Sequence, residues 1–166
     1  GGNRLDIARW PNKLDSGNDA FTRLYFSVSA DETYITLMPP LVKRLNSYHN
    51  IENLYMFGYY RYDWSSSDGK VIKFEPDTGN IYPTVNGYGI FNKPELDSSN
   101  PCPYFYFYNI PDELDRADEY YIDKNTGILY VYEPTDDFPI CLSGDMINMN
   151  GVDYISFVGL SFSYGT

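Results

Sequence analysis

Tyr59-Tyr-Arg-Tyr-Asp-Trp64 sets four aromatic rings, a guanidinium and a carboxylate within six residues. Written as an extended strand, it sends Tyr60, Tyr62 and Trp64 to one face and Tyr59, Arg61 and Asp63 to the other. Two chemistries fit that pattern. In the first, the aromatic face stacks on sugar rings while Arg61 and Asp63 hydrogen-bond hydroxyl groups. In the second, the strand is half-buried, and Arg61 and Asp63 form an ion pair that locks it to a neighbouring element.

A second group of residues could act as acids and bases. Glycoside hydrolysis needs two carboxyl groups flanking the scissile bond, about 5 to 9 Å apart. The candidates are Asp63, Asp112, Glu113, Asp115, Asp118 and Glu119, with Arg116 among them. The competing reading is a capped turn that braces the hairpin after it, in which Glu113-Leu-Asp115 accepts backbone N–H groups. Asp123-Lys-Asn-Thr-Gly127 resembles the start of a calcium loop. It is too short for one and lacks the later bidentate Glu, so it reads as turn chemistry. The single His49 leaves no three-histidine zinc site, and Cys102 and Cys141 form one disulfide or stay free. No Gly-rich phosphate loop, nucleophile elbow or paired-Cys motif occurs, and no cofactor or metal is expected.

Composition narrows the class. The chain has 166 residues and a formal charge of −11, from 23 acidic and 12 basic side chains. That charge repels phosphate and anionic lipid, so neither nucleic acid nor a membrane surface is an expected partner. Tyr is abundant, at 18 against 10 Phe and 2 Trp. Tyr suits strands and the border between core and water, and it equally suits a sugar-stacking surface. No apolar run is long enough for a transmembrane helix, and no signal peptide opens the chain.

The elements that would position these residues are mostly strands. Leu5–Trp10 alternates partly as a strand and stops at Pro11-Asn12. Leu24–Ser29, Thr33–Leu37, Leu54–Tyr62, Val71–Glu75, Asn80–Tyr82, Tyr104–Tyr108, Tyr120–Asp123 and Ile128–Tyr132 read as further strands. Tyr104-Phe-Tyr-Phe-Tyr108 lacks polar alternation and is expected between two packed layers. Gly79 and Gly127 each close a short hairpin loop at the position needing positive φ. Leu41–Asn46, behind Pro39-Pro40, is the best helix, with Leu41 and Leu45 on one face. Ile110–Asp115 is expected to make one helical turn. The class is all-β, a sandwich or barrel-like antiparallel domain.

The order Ala8-Arg-Trp-Pro-Asn12, Gly58-Tyr-Tyr-Arg-Tyr-Asp-Trp64, Glu113-Leu-Asp115 and Glu119-Tyr-Tyr-Ile-Asp-Lys-Asn-Thr-Gly-Ile-Leu-Tyr130 resembles bacterial right-handed parallel β-helix proteins. It looks most like the β-domain inserted early in glycoside hydrolase family 141-like enzymes, which carry Trp where this chain has Tyr60 and Tyr120. The resemblance implies three parts: residues 1–12 leading in, an inserted sandwich or barrel-like domain over 13–146, and the first coil of a truncated β-helix over 147–166. In that coil Asp153–Phe157 turns at Val158-Gly159 into Leu160–Tyr164. A start at Gly1-Gly2 and an unfinished coil lead us to expect a piece of a larger protein.

The implied function is a non-catalytic accessory domain of a secreted or cell-surface polysaccharide-degrading protein. The domain helps shape the groove, and the parent's later coils supply the acid and base. Its expected partners are the rest of the β-helix and a polysaccharide or oligosaccharide, through Tyr60, Arg61, Tyr62, Asp63 and Trp64. Trp10 is expected to anchor the domain on the β-helix. A self-standing carbohydrate-binding module and an adhesin-type β-helix domain are the alternatives.

Overall fold

The computed structural model describes residues 4–29, 31, 33–62, 64–84, 103–137, 140, 150, 151, 153, 154, 156 and 158, with Phe26 and Arg61 described by their backbone alone. Residues 4–135 form one compact unit, and residues 1–3 with 136–166 form another.

The larger unit is all-β with two sheets. Its strands are β1 (Asp6–Ile7), β2 (Arg9–Trp10), β3 (Tyr25–Val28), β4 (Ile35–Leu37), β5 (Tyr55–Tyr62), β6 (Ser65–Glu75), β7 (Asn80–Pro83), β8 (Tyr104–Tyr108), β9 (Glu119–Asp123) and β10 (Ile128–Tyr132). The helix α1 spans Pro39–Ser47, and Pro111–Glu113 makes a 3-10 turn. Seven strands pair throughout antiparallel in the order β2-β8-β5-β6-β7-β4-β3. The other three form the sheet β1-β9-β10, in which β1 runs parallel to β9 and β10 antiparallel.

One face of the large sheet carries the core. Met56 and Tyr60 of β5, Phe105 and Phe107 of β8, Ile35 and Leu37 of β4 and Ile81 of β7 pack in one cluster with Leu41 and Leu45 of α1. The two leucines lie one turn apart and so meet the sheet from a single helix face. Pro39 and Pro40 occupy the first helical positions, where a missing N–H costs nothing. Gly58 is required between Met56 and Tyr60, because a Cβ there would stand 2.5 Å from the Tyr104 carbonyl oxygen.

The sheets are joined at Ala8 and Asn109. Ala8 is fully buried between β1 and β2. Its N–H donates to the Tyr120 carbonyl (2.7 Å) and its carbonyl accepts from the Asn109 N–H (2.8 Å), one bond into each sheet. Asn109 is buried with φ of 59°. Its Oδ1 accepts from the Ile122 N–H (3.0 Å) and its Nδ2 donates to the Ile122 carbonyl (3.1 Å). The side-chain amide thus does for β9 what a neighbouring strand's backbone would do.

β1 and β2 pair with β9 and β8, so residues 6–10 belong to the sheets of the larger unit. Trp10 packs partly buried against that unit's own core, with the Arg44 guanidinium 4.7 Å above its ring. Its bond to Pro11 is cis. Gly79 and Gly127 take φ of 74° and 73°, as the two loops require. The expected coil at Asp153–Phe157 and Leu160–Tyr164 falls mainly outside the described residues, as do Cys102 and Cys141. Among the described residues of 147–166 no strand occurs.

Candidate functional site

The aromatic cluster on β5 is split by the fold. Tyr60 is 1% exposed, its ring parallel to that of Phe105 at 6.5 Å. It is a core residue, and the expected common face of Tyr60, Tyr62 and Trp64 does not form. Two features of the backbone explain this. The β5–β6 register shifts between Tyr59 and Tyr62, and Trp64 stands in the turn that closes the hairpin, beyond the reach of strand alternation. Tyr62 and Trp64 nevertheless meet there, their rings stacked at 4.9 Å and 12°, with Trp64 68% exposed. Of Arg61 the backbone alone is described, and Asp63 lies outside the described residues.

The face of the large sheet away from the core carries a second aromatic feature. Tyr55, Phe57 and Tyr59 of β5 stand directly opposite Tyr108, Tyr106 and Tyr104 of β8. Phe57–Tyr106 and Tyr59–Tyr104 stack at 5.2 and 4.8 Å, and Tyr55–Tyr108 lies tilted by 31° at 5.3 Å. Phe21 sets its ring edge to Tyr104 at 5.2 Å, and the Arg9 guanidinium lies 3.4 Å above Tyr106. Arg9, Arg23 and Lys124 lie over the rings of Tyr106, Tyr104 and Tyr55, so one face of each of these rings is already occupied. The Tyr108 hydroxyl donates to Asp68 (3.1 Å), and Lys124 Nζ donates to the Tyr55 hydroxyl (2.8 Å). Burial and the neighbouring Asp68 carboxylate push the Tyr108 phenol well above its ordinary range.

This corrects the expectation that residues 104–108 lie between two packed layers. Phe105 and Phe107 are buried, while the three tyrosines are half-buried on the outer face. The signal was the Tyr/Phe alternation itself, in which the hydroxyl-bearing ring plays the polar part.

The acidic loop is a brace. Among the described residues Glu113 is held by side chains and not by the backbone N–H groups expected. It is buried and clasped by Arg44, whose Nε and Nη2 donate to Oε1 and Oε2 at 2.7 and 2.8 Å, and the Tyr48 hydroxyl also donates to Oε1. This fork ties α1 to the 3-10 turn. Asp112 accepts the His49 N–H (3.0 Å), Asp115 accepts from Asn12 Nδ2 (2.9 Å), and Asp118 accepts the Thr135 N–H (2.7 Å). Asp123 accepts from the Asn125 N–H and the Thr126 hydroxyl at 2.9 and 2.8 Å, which is turn chemistry.

Glu119 takes the role expected of Glu113-Leu-Asp115: its Oε2 accepts the N–H groups of Asp115 and Arg116, both at 3.0 Å. Burial raises its pKa, with those two N–H groups opposing the shift. A carboxyl group raised in the folded state binds its proton more tightly there, so its contribution to stability falls as pH climbs from the unfolded to the folded pKa. Glu119→Gln keeps an acceptor and removes the charge. Denaturant unfolding of wild type and variant across the acid-to-neutral range should show the variant gaining relative stability as pH rises; a pH-independent difference would refute this assignment.

Among the described residues no group of three or more His, Cys, Asp or Glu side chains is placed to hold a metal ion. No helix among them is long and apolar enough to cross a membrane. Comparison with protein-family models, curated proteins and solved structures finds no match to this chain.

Proposed function

We propose that residues 4–135 are a carbohydrate-contacting accessory domain of a larger, secreted polysaccharide-degrading protein built on a parallel β-helix. The observation that carries the sugar contact is the Tyr62–Trp64 stack, with its largely exposed indole at the tip of the β5–β6 hairpin. An exposed tryptophan backed by a second ring keeps its orientation and loses little conformational entropy when a sugar ring settles on it.

The insertion rests on strand order. Asp6 of β1 and Tyr132 of β10 both stand opposite Glu119 of β9. The incoming and outgoing strands are thus two strand spacings apart, about 9–10 Å, at one end of the small sheet. A domain with neighbouring ends can sit within another fold without disturbing it. Residues 147–166, on this reading, begin the β-helix coil, and acid–base chemistry belongs to coils after it.

The test uses the whole chain and a panel of soluble and insoluble polysaccharides. Trp64 is one of two tryptophans, and Trp10 is packed against the core, so indole emission reports on the hairpin tip. We expect retention on at least one polysaccharide with a change in emission, and no release of reducing sugar. Failure to bind any member of the panel would overturn the contact, and release of reducing sugar by the chain alone would overturn the accessory role.

A further inference from the structure

A cleft of about 510 Å³ opens beside the Tyr55 end of the aromatic ladder, lined in part by Ile51, Glu52, Lys70, Ile72, Phe74 and Asn125. Its volume falls within the range of small-ligand sites, about 300–1,000 Å³. Ile72 is 66% exposed, an aliphatic side chain left uncovered in the middle of β6. Ile51 and Phe74 extend that apolar surface back to the core.

Lys70 and Lys73 line the cleft beside Glu52. Lys70 is the cross-strand partner of Tyr55, and Lys124, next to the lining residue Asn125, donates to the Tyr55 hydroxyl. The Lys124 ammonium lies 4.2 Å over the Tyr55 ring, Lys70 stands opposite Tyr55 in the strand register, and Lys73 lies just past Ile72. The nearby carboxylates have partners of their own. Glu75 pairs with Lys73, Glu52 accepts from Asn125 Nδ2 (3.1 Å), and Asp68 accepts from Tyr108.

We propose that this cleft is a subsite for a carboxylate-bearing sugar, a uronic acid residue within a glycan. The sugar's apolar face lies on Ile72, and its carboxylate faces Lys70 and Lys124. The inference rests on the carbohydrate reading above and adds the class of sugar. Charge complementarity is what commits it to an acidic residue. The formal charge of −11 works against polyanions at a distance, but at physiological ionic strength fields are screened within about 8 Å. At contact, the two lysines dominate. An ammonium acts as a point charge without geometric demand, which suits a carboxylate on a flexible glycan.

The experiment titrates the full chain with an oligogalacturonide and with a neutral xylo-oligosaccharide of the same length, at low and high salt, and repeats this with Lys70→Gln/Lys124→Gln. The acidic ligand should bind about tenfold more tightly than the neutral one at low salt. Salt should erode that preference, and the double variant should abolish it while still binding the neutral ligand. Equal affinity for the two ligands, or a preference that survives the double substitution, overturns the subsite and leaves the carbohydrate reading standing. Failure to bind either ligand, or any other polysaccharide, overturns both. Circular dichroism of the variant confirms that the comparison is between folded proteins.

Discussion

Asn109→Ala should lower the unfolding free energy by about 3 kcal/mol, the sum of two effects at one buried residue. The substitution deletes the amide that pairs with both backbone groups of Ile122 and also donates to the Asn53 carbonyl at 3.3 Å. A buried backbone group left without a partner costs about 1–3 kcal/mol. The left-handed backbone adds to this, since φ of 59° is a conformation Asn tolerates and Ala resists by about 1 kcal/mol. Asn109→Gly separates the two, because it loses the same hydrogen bonds without the Cβ strain. Urea unfolding should rank wild type above Gly and Gly above Ala, and equal stability of the three would show that the amide does not hold the small sheet. The exchange rate of the Ile122 amide should rise in both variants.

The elements were legible where propensity and pattern agreed. The Leu41/Leu45 spacing behind Pro39-Pro40 predicted the helix, which runs one turn's fraction longer at each end. The two glycine-closed loops predicted their hairpins. What the sequence concealed was the first half of β6. Ser65-Ser-Ser-Asp-Gly-Lys70 has poor strand propensity and reads as loop, yet it pairs along β5 from Tyr62 back to Tyr55. Its small residues are useful there: a Cβ on Gly69 would stand 1.3 Å from the Thr84 carbonyl oxygen, so side chains yield to a passing backbone.

The site was legible in composition but not in placement. Six neighbouring residues supplied a stacking pair, Tyr62 and Trp64, and also a core residue, Tyr60. Period-two alternation cannot see the register shift that separates them. Likewise, Asp112, Glu113, Asp115, Asp118 and Glu119 looked alike as a run of acids. Tertiary partners tell them apart: Arg44 in α1 and Tyr48 at its C-terminal cap reach Glu113 from 69 and 65 positions earlier in the chain.

If the proposed carbohydrate contact holds, Trp64→Ala should weaken polysaccharide binding by about 30-fold, equivalent to about 2 kcal/mol, the loss typical of truncating a buried aromatic anchor at an interface. Stability should change little, because the indole is mostly exposed. Trp64→Phe keeps a ring on Tyr62 and should recover part of the affinity. The decisive control is Tyr60→Phe. If Tyr60, Tyr62 and Trp64 formed one platform, removing the Tyr60 hydroxyl would weaken a sugar contact. Among the described residues that buried hydroxyl has no hydrogen-bond partner, so its removal should leave affinity unchanged and stability equal or higher. A loss of binding in Tyr60→Phe with Trp64→Ala silent would reverse the assignment of the site. The opposite outcome would place the sugar on the hairpin tip, with Tyr62 as the support behind the indole.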